Sequence, residues 1–133
     1  MASKILVVED DQDIRNLLHF QLTSAGFETA FARDGATALI VARKERPDLI
    51  LLDLGLPAGD GFVVMERMKA IPDLEMIPVI VVTARDPREG ERAVQQGARA
   101  FFHKPFDADA LVAEIRAALG GGAVASELDG SPG

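Results

Sequence analysis

ILVVEDD at residues 5–11 decides the fold, because four apolar residues end abruptly in three carboxylates. The pattern recurs in LILLD at residues 49–53 and in VIVVT at residues 79–83, where an apolar run again ends in a polar residue. Continuous runs of β-branched residues and leucine are typical of strands covered on both faces, as in a parallel sheet. Residues 27–32 and 100–103 are weaker strand candidates.

Helical patterns lie between these runs. Asp11 and Asp13 are candidate caps for a first helix that stops at Gly26, and Asp107 is the candidate cap of the last one. Strand and helix then alternate five times, which predicts an open α/β sheet with helices on both faces. The apolar positions of the five helices are Ile14, Leu17, Leu18 and Leu22; Ala38, Leu39 and Ala42; Phe62, Val64, Met65 and Met68; Ala93 and Val94; and Leu111, Ile115 and Leu119.

The composition narrows the functional classes. The 133 residues, 48% hydrophobic and 26% charged, are typical of one soluble globular domain. The lack of cysteine excludes disulfides, thiolate zinc sites and a cysteine nucleophile. A net charge of −7 opposes direct contact with nucleic acid or anionic lipid. Because we see neither a secretory signal nor the ~18 apolar residues of a membrane span, we expect a cytoplasmic domain.

The last residues differ from the rest of the chain. Five glycines, two serines and a proline stand among residues 120–133, and little is left there to pack. We expect a single domain over residues 1–119, followed by a flexible Gly/Ser-rich tail or linker over residues 120–133. A terminus without a role fits the same composition.

Polar residues stand at the end of four predicted strands. Glu9 and Asp10 follow the first strand, and Asp53, Thr83 and Lys104 follow the third, fourth and fifth. Each alone is an ordinary turn or cap residue. Ligands of open parallel sheets bind beyond the carboxyl ends of the strands, so the convergence of these residues predicts a site there.

The charges at this edge favour a metal and a phosphoryl group. Three carboxylates face one lysine, and an oxygen-rich set without histidine or cysteine suits Mg²⁺. Asp53 is then a candidate nucleophile that forms an aspartyl phosphate. Lys104 and the metal would offset the phosphoryl charge, and the Thr83 hydroxyl could contact the attached group. Glycines at 55, 59 and 61 would leave space above Asp53.

Together these motifs resemble a known family. ILVVEDD, LDLGLP at residues 52–57 with Gly61, Thr83-Ala84 and Lys104-Pro105-Phe106 are similar in order and spacing to the receiver domain of two-component response regulators. The resemblance runs from Lys4 to Leu119. It implies a flavodoxin-like sheet of five parallel strands in the order 2-1-3-4-5 with five helices.

The resemblance also implies a phosphoacceptor site. Asp53 would accept a phosphoryl group from a phosphohistidine on a sensor histidine kinase or phosphotransfer protein. Mg²⁺, with Mn²⁺ as a possible substitute, would be bound by Asp10, Asp53 and the backbone carbonyl of Gly55, and Glu9 would act through a metal-bound water. Such a domain is a switch and not an enzyme in the usual sense.

The remaining family roles concern the switch. Thr83 and Lys104 would move onto the phosphoryl oxygens, and the Lys104–Pro105 peptide bond would be cis. Phe101 matches the switch aromatic, which turns inward when Thr83 shifts. The fourth helix, fifth strand and fifth helix would form the output surface for a downstream effector protein or an output domain outside this sequence.

Two positions depart from the family pattern or stand out beside it. Arg99-Ala100 replaces the acidic pair of many receivers that are joined to winged-helix domains, which leaves a monomer or a weak phosphorylation-dependent dimer as the expectation. His103 is either an exposed side chain at the strand end or an influence on access to the site.

Two other classes of protein share part of this pattern. A phosphatase of the haloacid dehalogenase type needs a second acid two residues after its nucleophile, where this chain has Gly55. A pseudo-receiver that binds partners independently of phosphorylation is the alternative.

Asp11 is expected to cap a helix, His19 to lie at the surface, and Met65, Met68 and Met76 to fill the core.

Overall fold

Five strands and five helices alternate along the part of the chain that the computed structural model describes, residues 2–56 and 61–120. The strands are β1 (Lys4–Val8), β2 (Glu28–Ala32), β3 (Leu49–Asp53), β4 (Val79–Thr83) and β5 (Ala100–His103). The helices are α1 (Gln12–Ser24), α2 (Gly35–Glu45), α3 (Gly61–Lys69), α4 (Pro87–Gln95) and α5 (Ala108–Leu119).

The strands form one parallel sheet in the order β2-β1-β3-β4-β5. The predicted α/β class and strand order are therefore confirmed, and the two weaker strand candidates are strands. Val8 is in register with Leu52 of β3, and Asp53 with Val82 of β4. This register brings the ends of β1, β3 and β4 to the same edge.

Alternate strand residues face two separate cores. On one face, Leu6, Ile50 and Val81 pack with residues of α2, α3 and α4. On the other face, Val7 and Leu51 pack with residues of α1 and α5. Because both of their faces are covered, the three central strands β1, β3 and β4 contain uninterrupted apolar runs, as the sequence indicated.

Aspartates begin four of the described helices. Asp11 accepts hydrogen bonds from the backbone amides of Asp13 and Ile14, and Asp107 accepts one from Asp109, so two of the three candidate caps are confirmed. Asp13 lies inside the first turn of α1 instead of capping it. Asp34 and Asp86 cap α2 and α4 in the same way.

Three of the apolar residues named above are exposed: Met76, which was expected to fill the core, and Leu17 and Val94 (39% exposed), which lie in their predicted helices α1 and α4 but are not covered there. Met76 is 85% exposed, because it lies in the turns between α3 and β4, where no helix covers it. Leu17 is 51% exposed, because Leu18 and Leu22 form the buried stripe of α1 and each residue turns about 100° around the helix axis. Met65 and Met68 are buried and His19 is exposed, as predicted.

Within the described ranges, none of the helices has the length and apolar character needed to cross a membrane. Residues 121–133 lie outside the described residues, so the boundary at residue 119 and the tail remain predictions. Pro57, Gly59 and Asp60 of the predicted loop lie outside them as well.

Gly61 joins α3 to the end of β3 without room for a side chain. Its amide donates to the carbonyl of Leu54 at 3.1 Å. A Cβ at this position would lie 2.7 Å from the carbonyl oxygen of Asp53 and 2.8 Å from Cα of Leu54. Both of these atoms belong to the backbone, so a methyl group could be accommodated only by moving the chain that carries Asp53.

We therefore expect Gly61→Ala to lower the free energy of unfolding by about 1–3 kcal/mol, as measured by urea denaturation in EDTA. Gly55→Ala is the matched control, because a Cβ there would meet its nearest atoms at 3.7 Å. Equal unfolding free energies for the two variants would contradict this account.

Candidate functional site

The predicted polar residues meet at the carboxyl edge of the sheet. Asp53 is the last residue of β3 and Thr83 the last of β4, while Glu9 directly follows β1. Lys104 directly follows β5 and is anchored there, because its amide donates to the carbonyl of Thr83 at 2.8 Å. The sheet order places β3 between β1 and β4, so Asp53 lies in the middle of this group.

Lys104 bridges two buried carboxylates. Its Nζ lies 2.7 Å from Oε1 of Glu9 and 3.2 Å from Oδ2 of Asp53. Glu9 is only 1% exposed and Asp53 is also buried. Charges withdrawn from water in this way require a nearby opposite charge, which Lys104 supplies.

The protonation equilibria reflect this crowding. Burial raises the pKa of Glu9 to about 7, and the charge of Asp53 acts in the same direction, while Lys104 opposes both. Burial acts to lower the pKa of Lys104, but its hydrogen bonds and attraction to Glu9 and Asp53 outweigh burial, so this pKa is raised. Glu9 can therefore exchange a proton near neutral pH.

Three carboxylates are close enough to share a cation. One oxygen each of Glu9, Asp10 and Asp53 lies within 4.8 Å of the others, with Asp10 exposed and the other two buried. These are hard oxygen donors with three negative charges against the single charge of Lys104. The donor set therefore fits Mg²⁺, which is bound by one or two carboxylates together with water.

The space beside Asp53 is limited by Gly55 and Arg85. The amide of Gly55 donates to Oδ1 of Asp53 at 2.9 Å. A Cβ at Gly55 would lie 3.7 Å both from this oxygen and from Nε of Arg85. Glycine therefore keeps a gap between the carboxylate and a guanidinium group, which also pairs with Glu89 at 3.0 Å.

Thr83 lies at the same edge of the sheet, and a hydrogen bond holds its hydroxyl group. It is completely buried, and its Oγ1 accepts a hydrogen bond from the amide of Arg85 at 3.0 Å. The peptide bond between Lys104 and Pro105 is cis. His103, at the end of β5, is exposed.

Phe101 lies on β5 against α4. The ring of Phe101 is partly buried, and a Cβ at Gly90 of α4 would overlap it. Gly90 therefore provides the slot that accepts the ring.

The structure brings Glu9, Asp10, Asp53 and Lys104 together, whereas Phe101 lies on the side of β5 that faces α4.

Sequence reasoning missed two arginines at this edge. Arg85 follows Thr83 by two residues, and Arg15 donates to the backbone carbonyls of Glu9 and Asp10. Arg15 could have been found, because it follows the cap Asp11 by one helical turn and helical side chains point toward the helix N-terminus. The sequence contains no comparable indication for Arg85.

Fold and site together define an open α/β domain that carries an acidic, lysine-bridged site at the carboxyl edge of a parallel sheet. Residues 5–116 match the response regulator receiver domain, and the chain belongs to this family of two-component signalling. The resemblance inferred from the sequence is therefore confirmed.

Relatives in this family differ in length. PleD, a response regulator of Caulobacter vibrioides, is 42% identical over 118 residues, which cover 87% of this chain but 26% of PleD. Sporulation initiation phosphotransferase F of Bacillus subtilis is 42% identical over 120 residues, which cover 90% of this chain and 92% of that protein. The chain thus spans about a quarter of one relative and nearly all of the other.

A solved structure provides a comparison for the acidic site. The receiver domain of sensor histidine kinase PA1611 from Pseudomonas aeruginosa PAO1 has a magnesium ion coordinated in its active site cleft. It superposes with a TM-score of 0.82 at 29% identity, covering 90% of this chain and 99% of that one.

The raised pKa of Glu9 predicts a pH-dependent contribution to stability. The folded protein holds this proton up to about pH 7, whereas the unfolded chain loses it near pH 4.5. The contribution of Glu9 is therefore fully present below pH 4.5 and is lost as the pH rises through about 7. In EDTA, we expect the free energy of unfolding of wild type relative to Glu9→Gln to fall by at most about 3 kcal/mol over this range.

Urea denaturation at a series of pH values would measure this difference. Glu91→Gln, an exposed position on α4, is the matched control and should parallel wild type. A constant difference between wild type and Glu9→Gln across the range would show that the pKa of Glu9 is not raised.

Proposed function

We propose that this domain accepts a phosphoryl group on Asp53 from a phosphohistidine of a sensor histidine kinase or phosphotransfer protein. The observation that carries the proposal is the bridge that Lys104 makes between buried Asp53 and Glu9. A carboxylate held beside a cation and two further acids has both a nucleophilic oxygen and the means to bind a metal. Membership of the receiver family supports the same role.

The transfer step follows from the chemistry of the two reactants. An oxygen of Asp53 attacks the phosphorus, the P–N bond to the donor histidine breaks, and the released imidazole nitrogen keeps the electron pair and takes up a proton. Lys104 stands within reach of the Asp53 oxygens and offsets the charge of the incoming group. Bound Mg²⁺ or Mn²⁺ supplies further positive charge for the phosphoryl oxygens.

The metal ligands follow from the acidic cluster. Asp10 and Asp53 of this cluster would hold the ion together with the backbone carbonyl of Gly55, which the family resemblance adds, and Glu9 would act through a metal-bound water. A bound cation would favour the deprotonated form of Glu9, whose pKa burial raises to about 7 in the metal-free protein.

Phosphorylation would redistribute contacts toward the output surface. Lys104 would exchange its bond with Asp53 for one with a phosphoryl oxygen, and Thr83 would exchange the amide of Arg85 for another. A shift of Thr83 would free space for Phe101, which lies on the strand next to β4. The altered surface would consist of α4, β5 and α5 and would bind a downstream effector protein or an output domain.

The same proposal includes the domain bounds, the location and the oligomeric state of the switch. Residues 1–119 would form the receiver of a cytoplasmic phosphorelay, acting as a switch and not as an enzyme in the usual sense, and residues 120–133 a tail or linker. Nε of Arg99, the residue directly before β5, pairs with Oε2 of Glu114 on α5 at 2.8 Å. This pairing uses the arginine within the domain, in keeping with a monomer or a weak phosphorylation-dependent dimer.

Intact-protein mass spectrometry after incubation with acetyl phosphate tests the phosphoacceptor. Wild type should gain the mass of one phosphoryl group with Mg²⁺ and none in EDTA. Asp53→Asn should gain none, because an amide oxygen is a poor nucleophile, while Asp73→Asn, an exposed aspartate, should label like wild type. Undiminished labelling of Asp53→Asn would reject the assignment, and a folded wild type that never labels would favour the pseudo-receiver.

Thr83→Ala tests the switch separately from the chemistry. We expect this variant to be phosphorylated, but with smaller phosphorylation-dependent changes in the backbone amide NMR shifts of α4, β5 and α5. Thr83→Ser keeps the hydroxyl and should respond like wild type. A full response in Thr83→Ala would remove the sensing role from Thr83.

A further inference from the structure

Arg15 of α1 reaches back to the loop that carries two of the three acids. Its Nη1 lies 2.8 Å from the carbonyl oxygen of Glu9 and 3.0 Å from that of Asp10, and donates a hydrogen bond to each. Arg15 is partly buried. Neither the transfer step nor the switch described above uses this residue.

The two bonds hold the backbone of the loop and leave its carboxylates to other partners. The carbonyls of Glu9 and Asp10 face the guanidinium of Arg15, while the carboxylates of the same residues lie within 4.8 Å of an oxygen of Asp53. Other contacts secure the ends of the loop. The amide of Glu9 donates to the carbonyl of Ala32 at 3.0 Å, and the amide of Asp11 donates to Oε2 of Glu9 at 3.2 Å.

Arg15 and Lys104 therefore bind different groups of the site. Lys104 contacts the carboxylates themselves and has to give up at least one of them when a cation or phosphoryl group is bound. Within residues 2–56 and 61–120, the hydrogen bonds of Arg15 go to carbonyl oxygens and not to carboxylates, so it can stay in place while the carboxylates change partners. A guanidinium also keeps its charge at any physiological pH and presents its donors in a fixed plane.

We propose that Arg15 is a positioning residue for divalent-cation binding, because it holds the carbonyls of Glu9 and Asp10 and so preorganises their carboxylates. The inference rests on the proposed function, since it assumes that these acids bind the ion. Groups that orient metal ligands typically change metal affinity ~10- to 100-fold when they are removed. We expect a loss of this size in Arg15→Gln.

The test measures Mg²⁺ binding to the unphosphorylated protein by isothermal titration calorimetry, with urea denaturation in EDTA on the same samples. Arg15→Gln removes both hydrogen bonds and the charge, and Arg15→Lys keeps the charge with a shorter, more strongly hydrated group. Arg99→Gln is the matched control, because Arg99 pairs with Glu114 away from the acidic loop. Affinity is compared under conditions in which every variant is folded.

The inference predicts that Mg²⁺ affinity is weaker than wild type in Arg15→Gln and partly recovered in Arg15→Lys. The Mg²⁺ affinity of Arg99→Gln should equal that of wild type. Acetyl phosphate labelling of Arg15→Gln should return to near the wild-type rate at saturating Mg²⁺, since Arg15 touches no reacting atom. Wild-type Mg²⁺ affinity in Arg15→Gln would overturn the inference, as would wild-type affinity in Arg15→Lys if Arg15→Gln does not fold. Failure of wild type itself to bind Mg²⁺ would instead overturn the proposed function.

Discussion

The bridge from Lys104 to Glu9 and Asp53 is the interaction on which the rest of the site depends. Two carboxylates are buried side by side at the carboxyl edge, and their mutual repulsion and lost hydration are tolerable only because an ammonium group lies between them. The sheet makes this possible. Since β1, β3, β4 and β5 run parallel, residues distant in sequence end at a common edge, and their side chains meet there without any long loop.

The same arrangement combines carboxylates on a fixed backbone with a lysine side chain that can change partners. Glu9 and Asp53 stand at the ends of strands that are buried on both faces, so their backbone positions are fixed by the two cores. Lys104 has a long side chain with several donors and can change partners at small structural cost. Burial raises the pKa of Glu9 to about 7, so this carboxyl can exchange a proton near neutral pH, and a cation bound here would compete with that proton.

Much of this could be predicted from the sequence, because the apolar runs and the polar residues that end them both follow from a sheet covered on two faces. The caps Asp11 and Asp107 were predictable for a similar reason, since an aspartate before a helical pattern has few other roles. Met76 and Leu17 were not, because hydrophobicity alone does not say which apolar residues a neighbouring element covers. The approach of Arg85 to Gly55 beside Asp53 was not predictable either, because it depends on the path of a long side chain that no short motif encodes. Arg15 differs, since its position one helical turn after the cap Asp11 does indicate its contacts with the acidic loop.

The slot at Gly90 ties two positions of the chain together. A side chain at residue 90 would occupy the volume that the Phe101 ring now fills, so α4 and β5 cannot change independently at this point. A larger residue on the helix would be accepted only with a smaller or displaced one on the strand. Over evolutionary time such positions are expected to vary as a pair, and related chains that lack the glycine should carry a different ring position or a different residue on the strand.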